Sequence, residues 1–191
     1  VQQATANGLH VLVRVDYDQE QTLPATGDQA ALTGYLDYLR RLARDARLAG
    51  VYGYVLGSGF NQASSNAQAN GRPVTPAWVA RLLDGYGEDP SHTDNAVQII
   101  RAEHPGVRVL VGPVRPWSTD QDSDRRAAID APWLNTMNAL VAALDEGAQA
   151  KLAAGYALVA PDGFALHVAG RVGELGAAEP STAQRRACLL Y

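Results

Sequence analysis

The stretch that decides the fold is Val51-Tyr-Gly-Tyr-Val-Leu-Gly-Ser-Gly-Phe-Asn61, in which a short apolar run passes directly into small and polar residues. β-Branched and aromatic residues followed by glycine are typical of a buried strand. We therefore predict a strand from Val51 to Leu56. The Gly-Ser-Gly that follows Leu56 predicts a loop at the carboxyl end of this strand.

Three other segments have strand character, and helical patterns separate all four. The strand segments are Val11–Asp16, Val107–Val111 and Phe164–Ala169. Helix start signals stand at Asp28, at Thr75-Pro76, at Thr93-Asp94 and at Asp130 with Pro132, each ahead of apolar residues at helical spacing. Strands alternating with helices predict parallel βα units with right-handed crossovers. On the first long helix, Asp37 and Arg41 are expected to form an exposed i,i+4 pair.

Four βα units fill nearly the whole chain, whereas a closed barrel needs eight units and typically ~250 residues. We therefore predict an α/β fold of the TIM-barrel type, partial or incomplete, with an open, doubly wound parallel sheet as the alternative. One domain is expected over residues 1–175. An irregular C-terminal tail is expected over residues 176–191.

The bulk composition excludes several classes of protein. The 191 residues are 47% hydrophobic and 19% charged, which is typical of a globular domain and not of a disordered chain. A net charge of -4 predicts neither a nucleic acid nor an anionic membrane as partner. No apolar run of ~18 residues and no signal peptide is visible, and localisation, with secretion or the cell surface among the options, stays open. The single cysteine, Cys188, cannot form an internal disulfide.

The sequence contains no complete motif for a cofactor or metal, so none is expected. Asp120-Gln-Asp-Ser-Asp124 resembles the opening of a calcium loop, but Arg126 replaces the required glycine and Ala131 the bidentate glutamate. Gly57-Ser-Gly59 lacks the third glycine of a dinucleotide fingerprint. Histidine and cysteine nowhere have zinc spacing.

Taken together, four segments resemble the TIM-barrel glycoside hydrolases of the cellulase-like group, clan A. They are Val11–Tyr17, Tyr52–Asn61, Val107–Pro113 and Asp162–Gly170. The resemblance spans roughly residues 8 to 171 and lies in strand order and in the residues at strand ends. It implies a β/α barrel whose ligand site lies at the carboxyl ends of the strands.

The chain departs from that family where the catalytic residues are expected. In the family the fourth strand usually ends Gly-Asn-Glu-Pro, and the glutamate is the general acid/base. Aligned on Gly57, this chain has Ser58-Gly-Phe60, so that Gly59 replaces the glutamate. A later strand of the family carries His followed two residues on by Tyr, where this chain has His167 and Ala169. Both carboxyl groups that the retaining mechanism places about 5 Å apart are therefore unaccounted for.

Six residues are candidates for the site. Arg14 and Asp16 share one face of the first strand, and they either hydrogen-bond sugar hydroxyls or form an internal ion pair in a sheet buried on both faces. Asp16 is the catalytic candidate. Ser58 and Asn61 either line a pocket or belong to a tight glycine turn.

The other two candidates follow later strands. Trp117 offers an aromatic ring for stacking on a sugar, with packing in the core or a lid as the alternative. His167 is the only histidine placed near the end of a predicted strand, and a structural, hydrogen-bonded histidine is its alternative role.

The leading functional interpretation is a glycoside hydrolase-like barrel protein that binds a carbohydrate and lacks the usual acid/base, a pseudoenzyme. One alternative is an active O-glycosyl hydrolase that uses another carboxylate, with Asp16 or Asp18 as the first candidates. Another is a structural or interaction domain, in which a partner or a second copy of the chain covers the edges of an incomplete barrel as a homo-oligomer.

Overall fold

The computed structural model describes residues 1–115 and 131–166. The predictions at Trp117, at His167 and for the acidic stretch Asp120–Asp124 lie outside these residues, as does the predicted C-terminal tail. The description that follows concerns the two described ranges.

These ranges contain helices and strands in alternation after a short N-terminal helix. In chain order the elements are α1 (Gln2–Ala6), β1 (Leu12–Val15), α2 (Gln29–Ala43), β2 (Gly53–Leu56), α3 (Pro76–Asp84), α4 (Ala96–Glu103), β3 (Arg108–Val111), α5 (Ala131–Ala153) and β4 (Gly163–Phe164). Short 3₁₀ turns cover Ala46–Leu48, Ala63–Ser65 and Ala67–Ala69. Each of the first three strands is shorter than the predicted segment but lies within it.

The four strands form one parallel sheet in the order β1-β2-β3-β4. The prediction of parallel βα units is confirmed. The strand order follows the chain, and within the described residues it does not reverse as it does in a doubly wound sheet. Contacts of α2 with α4, of α4 with α3 and of α3 with α5 join these helices into one layer.

Alternate residues of the strands form the core beneath that helical layer. Tyr54 and Val109 are neighbours in one row across the sheet, Leu56 and Val111 in the next, and all four are at most 2% exposed. The opposite face of β1 is open, since Leu12 is 49% exposed and the side chain of Arg14 is 64% exposed. The expectation of a sheet buried on both faces is wrong for this strand because no described helix packs against that face.

Side-chain caps explain where the helices begin. Asp28 accepts a hydrogen bond from the backbone N–H of Ala31 at 2.9 Å, and Thr75 precedes a proline in the first turn of α3, both as predicted. The cap of α4 is Asn95 and not Thr93-Asp94, because the Asn95 side chain accepts from the backbone of the first turn. Asp94 instead forms an ion pair with Arg40 at 2.8 Å.

The predicted ion pair on α2 is wrong because its aspartate pairs with Arg40. Asp37 pairs with Arg40, three residues along, and not with Arg41. Arg40 lies between Asp37 and Asp94, so it connects α2 to the loop before α4. This contact between elements accounts for the choice of partner.

A buried polar cluster joins α3 to α5. Asp84 is fully buried, its Oδ1 accepts from the backbone N–H of Tyr86 at 2.8 Å, and its Oδ2 has no hydrogen-bond partner. Lys151 is also buried, and its Nζ donates to the carbonyls of Pro90 and His92 at 3.0 and 2.7 Å. Burial raises the pKa of Asp84 to about 7, although the Tyr86 hydrogen bond and the charge of Lys151 lower it.

This raised pKa predicts a specific dependence of stability on pH. The folded state holds the Asp84 proton more tightly than the unfolded state, whose carboxyl group has a pKa near 3.8. Its stabilising contribution is therefore complete below about pH 4 and is lost as pH rises to about 7. We expect Asp84→Asn to abolish this loss, so that the variant gains roughly 2–4 kcal/mol relative to the wild type between these limits. Urea unfolding at a series of pH values measures the difference in the free energy of unfolding between the two proteins.

The same substitution at an exposed carboxylate of α5, Asp145→Asn, controls for the loss of one negative charge. A difference between wild type and Asp84→Asn that stays constant from pH 4 to pH 8 would contradict the prediction.

Candidate functional site

The carboxyl ends of β2 and β3 approach each other at two glycines. A Cβ atom on Gly112 would lie 1.8 Å from the carbonyl oxygen of Gly57, so no other residue fits there without movement of the backbone. Gly57 has a φ of +73°, which glycine adopts without strain. Beyond these residues the two loops stay joined, because the backbone N–H of Gly59 donates to the carbonyl of Pro113 at 2.7 Å.

A polar cavity of about 210 Å³ lies at this edge of the sheet. It is formed by the ends of β1 and β2 and by the loops that follow the first three strands. Every lining residue is polar or charged: Arg14, Asp16, Asp18, Glu20, Gln21, Thr22, Ser58, Ser64, Ser65 and Arg115. The volume is below the ~300–1,000 Å³ of pockets for drug-sized ligands, which favours a smaller ligand.

Asp16, the catalytic candidate, is held by two neighbours. Its Oδ2 forms an ion pair with Arg14 Nη2 at 3.0 Å, and its Oδ1 accepts a hydrogen bond from Thr22 Oγ1 at 3.3 Å. Thr22 Oγ1 in turn accepts from the backbone N–H of Ser58. Three candidate residues, Arg14, Asp16 and Ser58, are thus brought to the same cavity.

The loops after β1 and β2 form one unit through residues that sequence reasoning missed. Gln21 Nε2 donates to the side-chain oxygen of Asn66 at 3.1 Å, and both residues are almost fully buried. Backbone bonds reinforce the contact, from Thr22 N to the Ser65 carbonyl and from Ala67 N to the Glu20 carbonyl, each at 2.9 Å. The only sequence signal was the richness of the second loop in Asn, Gln and Ser.

Asn61 lies beside the cavity but does not line it. Its side chain instead holds the backbone of Arg115, accepting from the N–H at 3.0 Å and donating to the carbonyl at 2.8 Å. These two bonds fix the position of the Arg115 backbone, from which its side chain extends. Sequence reasoning assigned Asn61 to the pocket and did not single out Arg115, because an arginine in a loop carries no motif.

The position where the resemblance places the acid is occupied by the arginine side chain. Gly59 has a φ of +65°, and a Cβ atom there would lie 3.2 Å from both Cγ and Nε of Arg115 and 3.0 Å from Ser65 Oγ. A larger side chain at residue 59 would therefore compete with Arg115 for the same space. A positive group therefore lies beside residue 59 in this protein.

Asp18, the other carboxylate considered for catalysis, accepts two hydrogen bonds that favour its anionic form. It accepts hydrogen bonds from Gln68 Nε2 at 2.8 Å and from the backbone N–H of Gln19 at 2.7 Å. Both bonds lower the pKa of Asp18, and the bond from Gln68 has the larger effect. Near neutral pH this group can accept hydrogen bonds from a ligand but has no proton to donate.

Two further properties of the described residues bear on the site. In the part of the chain that the structure covers, no three His, Cys, Asp or Glu side chains come together in a way that could hold a metal ion. Over the same residues, no helix has both the length and the apolar character needed to cross a membrane.

Comparison with known proteins adds no family assignment. No protein-family model, no curated protein and no solved structure matches this chain. Arguments about its function therefore rest on the geometry of the cavity.

The hydroxyl of Thr22 is predicted to hold the cavity together. Thr22→Val keeps the shape of the side chain but removes both the acceptor for Ser58 N–H and the donor to Asp16. We expect a loss of about 1–2 kcal/mol in the free energy of unfolding, measured by urea denaturation. Thr22→Ser keeps the hydroxyl and should lose less than half as much; equal losses in the two variants would contradict the assigned role.

The close approach at Gly112 is predicted to make this glycine indispensable. Gly112→Ala should cost at least about 3 kcal/mol, because the added methyl group meets a backbone carbonyl and not a mobile side chain. Gly34→Ala is the matched control, since Gly34 lies exposed within α2 and a Cβ there meets nothing within 4 Å. That variant should gain up to about 1 kcal/mol. Thermal unfolding checks both changes in stability: relative to the wild type, Gly112→Ala should have a lower Tm and Gly34→Ala should not.

Proposed function

We propose that the protein binds a small carbohydrate in the polar cavity at the carboxyl ends of its strands. The observation that carries the proposal is the composition of the cavity wall, in which all ten residues are polar or charged. Sugars present many hydroxyl groups, each a donor and an acceptor, and carboxylates, serines and arginines are matching partners. The resemblance of the strand ends to the cellulase-like glycoside hydrolases points to the same class of ligand.

We propose binding without hydrolysis. Residue 59 is glycine, and its surroundings are filled by Arg115, so the usual acid/base is replaced by a group that cannot give up its proton. Asp18 is a poor proton donor because its hydrogen bonds lower its pKa. The lack of a general acid costs roughly 10²–10⁴ in rate.

A further part of the proposal concerns the architecture, for which we infer a β/α barrel. The consecutive strand order, the single helical layer and the polar cavity at the carboxyl ends support it. In a barrel the face of β1 that exposes Leu12 and Arg14 would be the interior. An experimental structure with helices packed on that face would contradict the barrel.

The binding proposal is tested by ligand-dependent thermal stability. Because a ligand that binds only the folded state raises the unfolding temperature, we expect at least one monosaccharide in a panel to stabilise the protein. Asp16→Asn should weaken this stabilisation, because it removes a charged acceptor from the cavity. Isothermal titration calorimetry then gives the affinities.

Asp37→Asn, the same change at an exposed aspartate on α2, should bind as the wild type does. If no sugar stabilises the protein, the binding proposal is wrong. Turnover of an aryl glycoside that disappears in Asp16→Asn would show a working hydrolase and overturn the noncatalytic part alone.

A further inference from the structure

Arg115 is a charged side chain of the cavity that has no side-chain partner within residues 1–115 and 131–166. Its Nε is buried, and no hydrogen-bond acceptor for it lies in these ranges. Among the described residues, no carboxylate forms an ion pair with its guanidinium, whereas Arg14, the other arginine of the cavity, is paired with Asp16. A buried donor without an acceptor is costly, and such groups in native proteins usually have a role.

The backbone and the stem of Arg115 are also positioned before any ligand arrives. Asn61 fixes the Arg115 backbone through two hydrogen bonds, and the absence of a side chain on Gly59 leaves the space in which Cγ and Nε lie. Ser58, Ser64 and Ser65 line the same cavity and add hydroxyl groups. Preorganised donors of this kind lose little freedom when an anion binds.

Among the described residues, none of the cavity's three carboxylates, on Asp16, Asp18 and Glu20, forms an ion pair with Arg115. Arg14 neutralises Asp16, and Asp18 is engaged by Gln68 at the side of the cavity. The acids nevertheless give the wall a negative component, which disfavours a dianion such as a phosphate more than a single carboxylate. A planar carboxylate matches the fork of the guanidinium and can bind in a bidentate way.

We infer, building on the proposed function, that the ligand is an acidic sugar of the uronate class, whose carboxylate binds Arg115. The arginine that replaces the acid of related hydrolases thus becomes the group that selects the ligand. The sugar hydroxyls face Asp16 and the serines.

The test compares uronates with their parent hexoses on the full 191-residue chain. Glucuronate and glucose, galacturonate and galactose, and mannuronate and mannose are titrated by calorimetry at low ionic strength. We expect one uronate to bind at least about tenfold more tightly than its parent sugar, since hydrogen bonds to charged groups are strong. Arg115→Met keeps the apolar stem and should reduce the preference to less than about twofold, with the affinity for the parent hexose retained.

Two controls make the result decisive. Arg72→Met removes an exposed arginine from the loop between β2 and α3, outside the cavity wall, and should keep the full preference. Arg115→Lys retains the charge without the fork and should keep only part of it, which also covers the case in which Arg115→Met fails to fold.

The outcomes separate the two proposals. Equal binding of uronate and hexose, or a preference that survives in Arg115→Met, would overturn the acidic-sugar inference and leave carbohydrate binding standing. Binding of neither class would overturn both.

Discussion

The close approach of the chain at Gly57 and Gly112 is the constraint on which the candidate site depends. Because no side chain fits between these residues, β2 and β3 leave the sheet with their backbones in near contact. The loops beyond them are then near enough for Gly59 to bond Pro113 and for Asn61 to hold Arg115. A local steric requirement therefore determines which side chains reach the cavity.

The order of the elements was predictable from the sequence because periodicity and caps are local signals. Asp28 and Thr75 cap their helices as expected, and the first three apolar runs contain the first three strands. What failed depends on contacts between elements. Arg40 pairs with Asp37 and Asp94, whereas the sequence predicted a pair between Asp37 and Arg41. One face of β1 is exposed because the packing of other elements, and not the residue pattern of the strand, determines what covers a sheet.

The candidate site was predictable in part for the same reason. Arg14, Asp16 and Ser58 follow or end strands, and parallel strands bring such residues to one edge. Thr22, Gln21 and Arg115 lie in loops without any motif, and only the folded chain shows that they share the cavity. The sequence shows only that residue 59 is a glycine and not an acid, whereas the structure shows that Arg115 fills the space around this glycine. The glycine thus has a steric role that the sequence of the strand ends does not show.

The polar cluster between α3 and α5 has a consequence for the chemistry of the whole molecule. Lys151 is the only lysine in the chain, and it is buried with its ammonium group against the Pro90 and His92 carbonyls. Every other permanent side-chain cation is an arginine. In the folded protein, amine-directed reagents therefore find the only lysine of these 191 residues inaccessible. Lys151 would be acylated only in those molecules in which α5 has separated from α3. The extent of its acylation would therefore measure how often these two helices separate.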